Sequence, residues 1–406
     1  MEDISFLEVK KIIKPKAKTH NPNIWFLKNG QKYMFKFADN DEISEFSLLN
    51  EVIISEICNK LNIPCQQATF AQYKLWNKHG VLIKSFLNSN EQEINIDQIQ
   101  KDYAQSRLDD LLGKDFFEKN IYPKITKKLT QNSKNQILHK TLQKRFAPEK
   151  MEEKIILKLE FLKLFNPNTT FSIDKKFDKK LVDKINLYQK EYDYLEYSFR
   201  MNITDKDILN HTKIYANKYG LEIEPNFEEK LCAMCLFDYL TVQDDRNTTN
   251  VSLIKKDNTL RLAPMFDNSF CLGFRYGHTD LEKPVDNVWQ TFTIPTELTY
   301  SKIDDKYSLV SEYIQKFDNF VKNDYDNFVK DFIKKYPNIQ NFIPLNEKSK
   351  IQDKNEWLIK YLNNTKITIE TRLEKLEQLK KSNQFESAGF FKNEPIPPKN
   401  NNQEQM

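Results

Sequence analysis

Glycine is scarce in this chain. Its 406 residues include seven, where average usage of about 7% would supply roughly 28. Their spacing cannot build G-x-G-x-x-G or G-x-x-x-x-G-K-[ST], so a Rossmann dinucleotide fingerprint and a Walker phosphate loop are both excluded. Cysteine is limited to five residues, Cys58, Cys65, Cys232, Cys235 and Cys271; an odd count in a long chain predicts a reducing compartment and no disulfide framework. Histidine also numbers five, scattered without metal-ligand spacing. Excess charge of one sign is lacking too: 62 basic residues face 58 acidic ones for a net +4, so a generally basic nucleic-acid binder is not indicated. The opening MEDISFLEVKKIIKPK has no apolar signal-peptide core, and no apolar run approaches a membrane span. The expectation is a cytoplasmic protein with no membrane partner, with export as an effector left open.

Aromatic residues, in contrast, are abundant. They make up 13% of the chain, led by 29 Phe and 18 Tyr, enough to argue for a packed core despite a mean hydropathy of −0.69. The run Ile24-Trp25-Phe26-Leu27, then Asn29-Gly30, then Tyr33-Met34-Phe35-Lys36-Phe37 reads as a hairpin. Residues 43–61 read as a helix that stops before Asn62-Ile63-Pro64, and a further strand pair is expected across 66–86. Together these predict a small β-rich lobe over 1–88. Residues 89–222 read as a polar, mostly helical segment. Within it, 121–190 holds 17 Lys+Arg against 7 Asp+Glu, a local +10 that leaves −6 for the remaining chain. A partner surface is one reading of that segment, and a solvated helical insertion is the preferred one.

Residues 223–385 read as a larger, mainly helical lobe. It opens with an apolar helix over 226–241 and a hairpin, Val251–Ile254 and Leu260–Leu262. Two amphipathic helices follow, spacing Tyr313, Phe317, Phe320, Phe328 and Phe332, then Trp357, Tyr361, Leu373, Leu376 and Leu379. Residues 386–406, rich in Pro, Asn and Gln, read as a disordered tail. Cys232-Ala233-Met234-Cys235 lacks the two further ligands zinc needs and reads as core packing. The fold class expected is α+β, bilobal, with a β-rich N-lobe and a mainly helical C-lobe.

The stretch that carries chemistry is LFDYLTVQDDRNTTNVSLIKKDNTLRLAPMFDNSFCLG, 236–273. A tight hairpin returns the chain to its start, so Asn250 before it and Asp267 after it can converge, with Asp245 five residues upstream of Asn250. An amide oxygen and two carboxylates suit Mg²⁺. In protein kinases an Asp orients the attacking hydroxyl, an Asn five residues later binds metal, and a second Asp after a hairpin binds metal too. Taken alone, Asp244-Asp245-Arg246 reads first as a solvated turn with a surface ion pair; Asn250, Asp267 and Lys36 in register favour the kinase site. Lys36 lies on the strand face opposite Tyr33, Phe35 and Phe37, so it should point away from the lobe core. Glu51 shares a helix face with Leu48, Ser55 and Cys58. A strand Lys and a helix Glu fifteen residues on form the ion pair that sets a Lys on ATP phosphates.

In these segments the sequence resembles the HipA-type serine/threonine kinases, a bacterial toxin-kinase group with a distant protein-kinase fold. Lys14-Pro15-Lys16-Ala17 resembles the family's loop over the phosphates, and Phe35-Lys36-Phe37 its nucleotide-binding strand. Asn50-Glu51 and Leu61-Asn62-Ile63-Pro64 resemble its helix and exit, and Gly80 to Leu87 its hinge. Asp245-Arg246-x-x-x-Asn250 and Leu262-Ala263-Pro264-x-x-Asp267-Asn268 resemble the catalytic and metal segments. The resemblance implies an ATP- and Mg²⁺-dependent kinase acting on a protein Ser or Thr, with an antitoxin or regulatory partner. It implies Asp245 and Asn250 as catalytic residues, Asn250 and Asp267 as magnesium ligands, and Lys16, Lys36, Glu51 and Asp267 at the nucleotide. Asn247 stands where the family usually has His, Thr249 where it often has Lys, and the phosphate loop has no glycine. A pseudokinase serving as a partner-binding module, and a phosphotransferase for a small molecule or lipid headgroup, are the alternatives.

Overall fold

The computed structural model describes residues 2–5, 7–13, 23–37, 42–112, 205–243, 246, 249–272, 303–343 and 353–382. Lys16, Asp245, the basic stretch 121–190 and the tail 386–406 lie outside the described residues. The chain first forms strands β1 (Glu2–Asp3), β2 (Glu8–Ile13), β3 (Asn23–Lys28) and β4 (Gln31–Phe37), then helix α1 (Glu42–Leu61), then β5 (Ala68–Tyr73) and β6 (Lys78–Lys84). Strand β7 (Glu91–Asn95) and helix α2 (Ile96–Leu112) follow, then α3 (Asp205–Tyr219), β8 (Glu222–Ile223) and α4 (Phe227–Thr241). The hairpin β9 (Ser252–Lys256) and β10 (Thr259–Leu262) precedes helices α5 (Ile303–Asn319), α6 (Tyr325–Lys335) and α7 (Lys354–Ser382). Among the described residues no helix is long and apolar enough to cross a membrane.

These elements divide into two compact units. One gathers the described residues of 1–86, 228–246 and 264–406; the other gathers those of 87–227 and 247–263.

The first unit is built on a six-stranded sheet of order β1-β5-β6-β4-β3-β2. Only β1 with β5 is parallel. The β3–β4 hairpin closes through Asn29 and Gly30 at φ 50° and 76°, the left-handed pair that matches strand twist and favours Asn-Gly. Alternation sends Ile24, Phe26, Phe35, Phe37, Ala71, Tyr73 and Leu82 to one face, where they form a buried cluster with Ile4 and Leu7. Helix α1 packs against β4, β5 and β6, and its Ser55 hydroxyl accepts the Ala68 N–H at 3.0 Å. The helix ends with the Ile63 N–H donating to the Cys58 carbonyl at 2.9 Å around left-handed Asn62, a cap in which Asn does the work usually left to Gly.

Gly80 sits opposite Phe37 in the β4–β6 ladder. A Cβ there would drive into the Lys36 carbonyl oxygen and meet the Phe35 ring at 2.7 Å. Because the obstacle includes backbone, Gly80→Ala is expected to lower stability by about 1–3 kcal/mol, read as a fall in the urea midpoint. An unchanged midpoint would contradict this strand spacing.

Among the described residues, helices α4 to α7 complete the unit. Helix α4 is apolar on every side, with Leu231 through Phe237 all buried, as expected of a core helix; Cys232 and Cys235 are part of that packing, and none of the five cysteines is disulfide-bonded. A π-helical turn, Phe320–Asp324, joins α5 to α6, so the single predicted helix is two, with Phe317, Phe320, Phe328 and Phe332 buried along them. Trp357 and Tyr361 of α7 stack at 5.2 Å between ring centres, and Phe46 of α1 meets both edge-on at 5.7 and 5.0 Å. The Arg372 guanidinium of α7 lies 4.8 Å over the Tyr239 ring of α4.

The second unit has a four-stranded sheet of order β7-β9-β10-β8. Strand β7 lies in a stretch read from sequence as helical. Only Ile94 of its five residues is buried, so it leaves almost no period-two signal, and pairing with β9 defines it. The Arg261 guanidinium holds Glu91 at 3.0 Å across this sheet. Helices α2 and α3 meet through Lys218 and Asp102, 2.9 Å apart, and through stacked Tyr103 and His211.

Candidate active site

Lys36 projects from near the C-terminal end of β4, on the face away from the cluster around Phe35. Its Nζ lies 2.9 Å from Glu51 Oε1 on α1 and 2.9 Å from Asp267 Oδ1. Lys36 and Asp267 are 231 positions apart in sequence. Burial pulls the Lys36 ammonium toward neutrality, but Asp267 and Glu51 together outweigh it and hold its pKa well above the ordinary lysine value. The Lys36 charge, against the opposing effect of burial, keeps the Asp267 carboxyl below the usual carboxylate range. Glu51 is buried, whereas the Asp267 side chain keeps 36% of its surface exposed. Asp267 thus offers an ionised carboxylate toward solvent, with one oxygen already on a cation.

The loop that presents Asp267 is held from several sides. Its backbone is left-handed, φ 53°, an uncommon state for a non-glycine residue that Asp tolerates better than most. The Gln243 amide donates to the Asp267 carbonyl at 3.2 Å, and the Ser269 hydroxyl donates to Asp267 Oδ1 at 3.1 Å. Arg246 reaches both neighbours, donating to the Phe266 carbonyl at 2.6 Å and to Asn268 Oδ1 at 2.7 Å. Its remaining donors make a two-pronged pair with Asp238 of α4, each at 3.0 Å. Arg246 and Asp238 are both fully buried. The Asn268 N–H donates to Glu51 Oε2 at 3.1 Å, so Glu51 binds Lys36 with one oxygen and the Asp267 loop with the other. Upstream, Met265 bridges Cys65, and the Gln66 N–H donates to the Met265 carbonyl at 2.7 Å.

Gln243 and Arg246 are delivered by the end of α4. There the Gln243 N–H donates to the Asp238 carbonyl at 2.9 Å around left-handed Val242, φ 55°. A β-branched residue in that region is strained, and it reverses the chain directly before the segment 244–250.

Of the residues expected from sequence, Lys36, Glu51 and Asp267 come together within the first unit. Asn250 belongs to the second unit, where it is buried just ahead of β9. Asp245 and Lys16 lie outside the described residues. The reading of Arg246 as part of a solvated turn is overturned, because a guanidinium with this many buried acceptors is a core group. A signal for it existed: Asp238 is a lone charge in the apolar run LCAMCLFDYLT, and a buried carboxylate calls for a buried cation. Gln243 carried no comparable signal, and Asn50 entered only beside Glu51 in the resemblance, with no pointer to its partners. Among the described residues no group of three or more His, Cys, Asp or Glu side chains could hold a metal by itself.

No protein-family model and no curated protein matches the chain. Among solved structures it is similar to the Helicobacter pylori proinflammatory kinase CtkA, at 13% identity over 92% of this chain and 98% of that one, with a TM-score of 0.43. It is also similar to a Shewanella oneidensis MR-1 toxin–antitoxin complex of HipA, HipB and operator DNA. That match has 11% identity over 88% of this chain and 66% of that one, with a TM-score of 0.30. Both likenesses are distant.

Proposed function

We propose that the chain is an ATP- and Mg²⁺-dependent protein kinase of HipA-like type, transferring the γ-phosphoryl group to a Ser or Thr hydroxyl. The observation that carries this reading is the Lys36 ammonium held by Glu51 on one side and Asp267 on the other. A buried helix carboxylate fixes the cation, and a solvent-facing carboxylate stands next to it, the pairing phosphoryl transfer needs for anionic phosphates and their metal. In this reading Lys36 moves from Asp267 onto the phosphates while Glu51 keeps it aimed. Asp245 orients the acceptor hydroxyl and takes its proton, and Lys16 contributes a cation to the phosphates.

The donor set fits magnesium in the form nucleotide enzymes use, in which one or two protein oxygens are completed by phosphates and water. Asp267, ionised and partly exposed, would hold it. Bound there, the ion would take up charge from the phosphate oxygens. The sequence resemblance extends the proposal to a regulatory protein partner of antitoxin type.

The departures at Asn247 and in the glycine-free phosphate loop favour a second reading, a pseudokinase that serves as a binding module without transfer. Pure protein incubated with γ-labelled ATP and cell lysate, followed by phosphosite mapping, decides between them. The expected result is Mg²⁺-dependent label on protein Ser or Thr, lost in Asp245→Ala. Label confined to a lipid or small-molecule fraction would refute the protein substrate, and nucleotide binding without any transfer would refute the enzyme.

A further inference from the structure

We propose that Asn50 is a positioning residue that holds the segment following Asp267 in register with α1. This deepens the kinase reading and rests on it for its meaning. Asn50 immediately precedes Glu51 and is completely buried. Its side-chain amide donates to the Ser269 carbonyl at 3.2 Å and to the Cys271 carbonyl at 2.9 Å. Its own oxygen accepts the Tyr361 hydroxyl of α7 at 2.7 Å. Glu51 takes the Asn268 N–H. Two consecutive residues of one helix therefore grip residues 268, 269 and 271 of the loop.

The loop requires such a grip. Asp267 and Leu272, at φ 53° and 61°, are left-handed non-glycine residues at either end of this short segment, and such backbone persists only when its surroundings over-determine it. The Phe-Gly that usually follows a kinase metal Asp is replaced here by Asn268-Ser269, so no glycine relieves the turn. The two Asn50 donors satisfy carbonyls that burial would otherwise leave costly. Tyr361 selects which end of the amide faces the loop: its hydroxyl donates to the oxygen, so both N–H groups point at Ser269 and Cys271. Asn50 is thus the link through which α7, α1 and the carboxylate at 267 share one geometry.

Asn50→Asp preserves shape and can still accept from Tyr361, but it sets a carboxylate oxygen against two carbonyls. Tyr361→Phe removes the hydroxyl and leaves both donors. Two readouts separate the possibilities: hydrogen–deuterium exchange of residues 266–272 in the nucleotide-free protein, and the gain in affinity that Mg²⁺ confers on a fluorescent ATP analogue. In Asn50→Asp the segment is expected to exchange at least about tenfold faster and the Mg²⁺ gain to disappear, with metal-free binding unchanged. Tyr361→Phe is expected to keep the Mg²⁺ gain. Wild-type exchange in Asn50→Asp, or a retained Mg²⁺ gain, overturns the proposal. Wild-type protein that binds no nucleotide overturns the kinase reading, while the exchange result still judges the grip of Asn50. Should Asn50→Asp fail to fold, Asn50→Ala removes the donors without adding charge and is read in the same way.

Discussion

Replacing Lys36 with methionine is expected to lower Mg²⁺-ATP-dependent transfer by at least about 10²-fold, the usual loss when a preorganised charge aimed at a reacting anion is removed. Methionine keeps most of the stem, so β4 and its ladder are left in place, and an unchanged circular-dichroism spectrum verifies this. What disappears is the cation between Glu51 and Asp267. Arginine is not expected to substitute, because its planar fork cannot occupy a position shaped for a compact ammonium. Initial rates with γ-labelled ATP measure the effect. Transfer by Lys36→Met within about threefold of wild type, less than the tenfold that 1.4 kcal/mol represents, would remove Lys36 from the mechanism and with it the observation that carries the proposed function.

The second large effect is on stability. Arg246→Met leaves the Asp238 carboxylate buried without its partner, together with the Phe266 carbonyl and the Asn268 oxygen that Arg246 also serves. Breaking a buried pair on one side costs about 3–5 kcal/mol, visible as a large fall in the urea midpoint. Asp238→Leu combined with Arg246→Met removes the stranded charge along with the cation. A well-packed apolar replacement of a buried pair is often close to neutral, so the double variant is expected to recover at least half of the lost stability. Its transfer activity is expected to stay low, since neither residue then holds the loop at 266–268. Full activity in a refolded double variant would show that Arg246 serves the core alone, whereas stability lower than that of Arg246→Met would contradict the buried-pair geometry.

Much of the local structure was legible in the residue order. The Asn29-Gly30 hairpin, the helix over Glu42–Leu61 and its exit at Asn62, the apolar helix before the segment 244–250, and the hairpin at Asp257-Asn258 all depend on periodicity and turn chemistry within a few residues. The side of β4 from which Lys36 emerges was legible for the same reason, since alternation along a strand is strict. Strand β7 was not, because a short, mostly polar edge segment has no pattern until a partner strand pairs with it. The division into two units was also hidden: the pieces 228–246 and 264–406 group with the N-terminal sheet, while 247–263 groups with 87–227, and no feature of the chain order announces that interleaving.

At the site the same boundary holds. The sequence by itself determined which groups were candidates, Lys36, Glu51 and Asp267 among them, because charge type and spacing are written in the chain. Only the tertiary structure decided that these three meet within hydrogen-bond distance, that Arg246 faces inward to Asp238, and that Asn50 and Gln243 secure the backbone around Asp267. The physical reason is that a hydrogen bond to a main-chain carbonyl leaves no mark on the identity of the residue that accepts it. Where a side chain's partner is backbone brought from far along the chain, only the folded geometry reveals it.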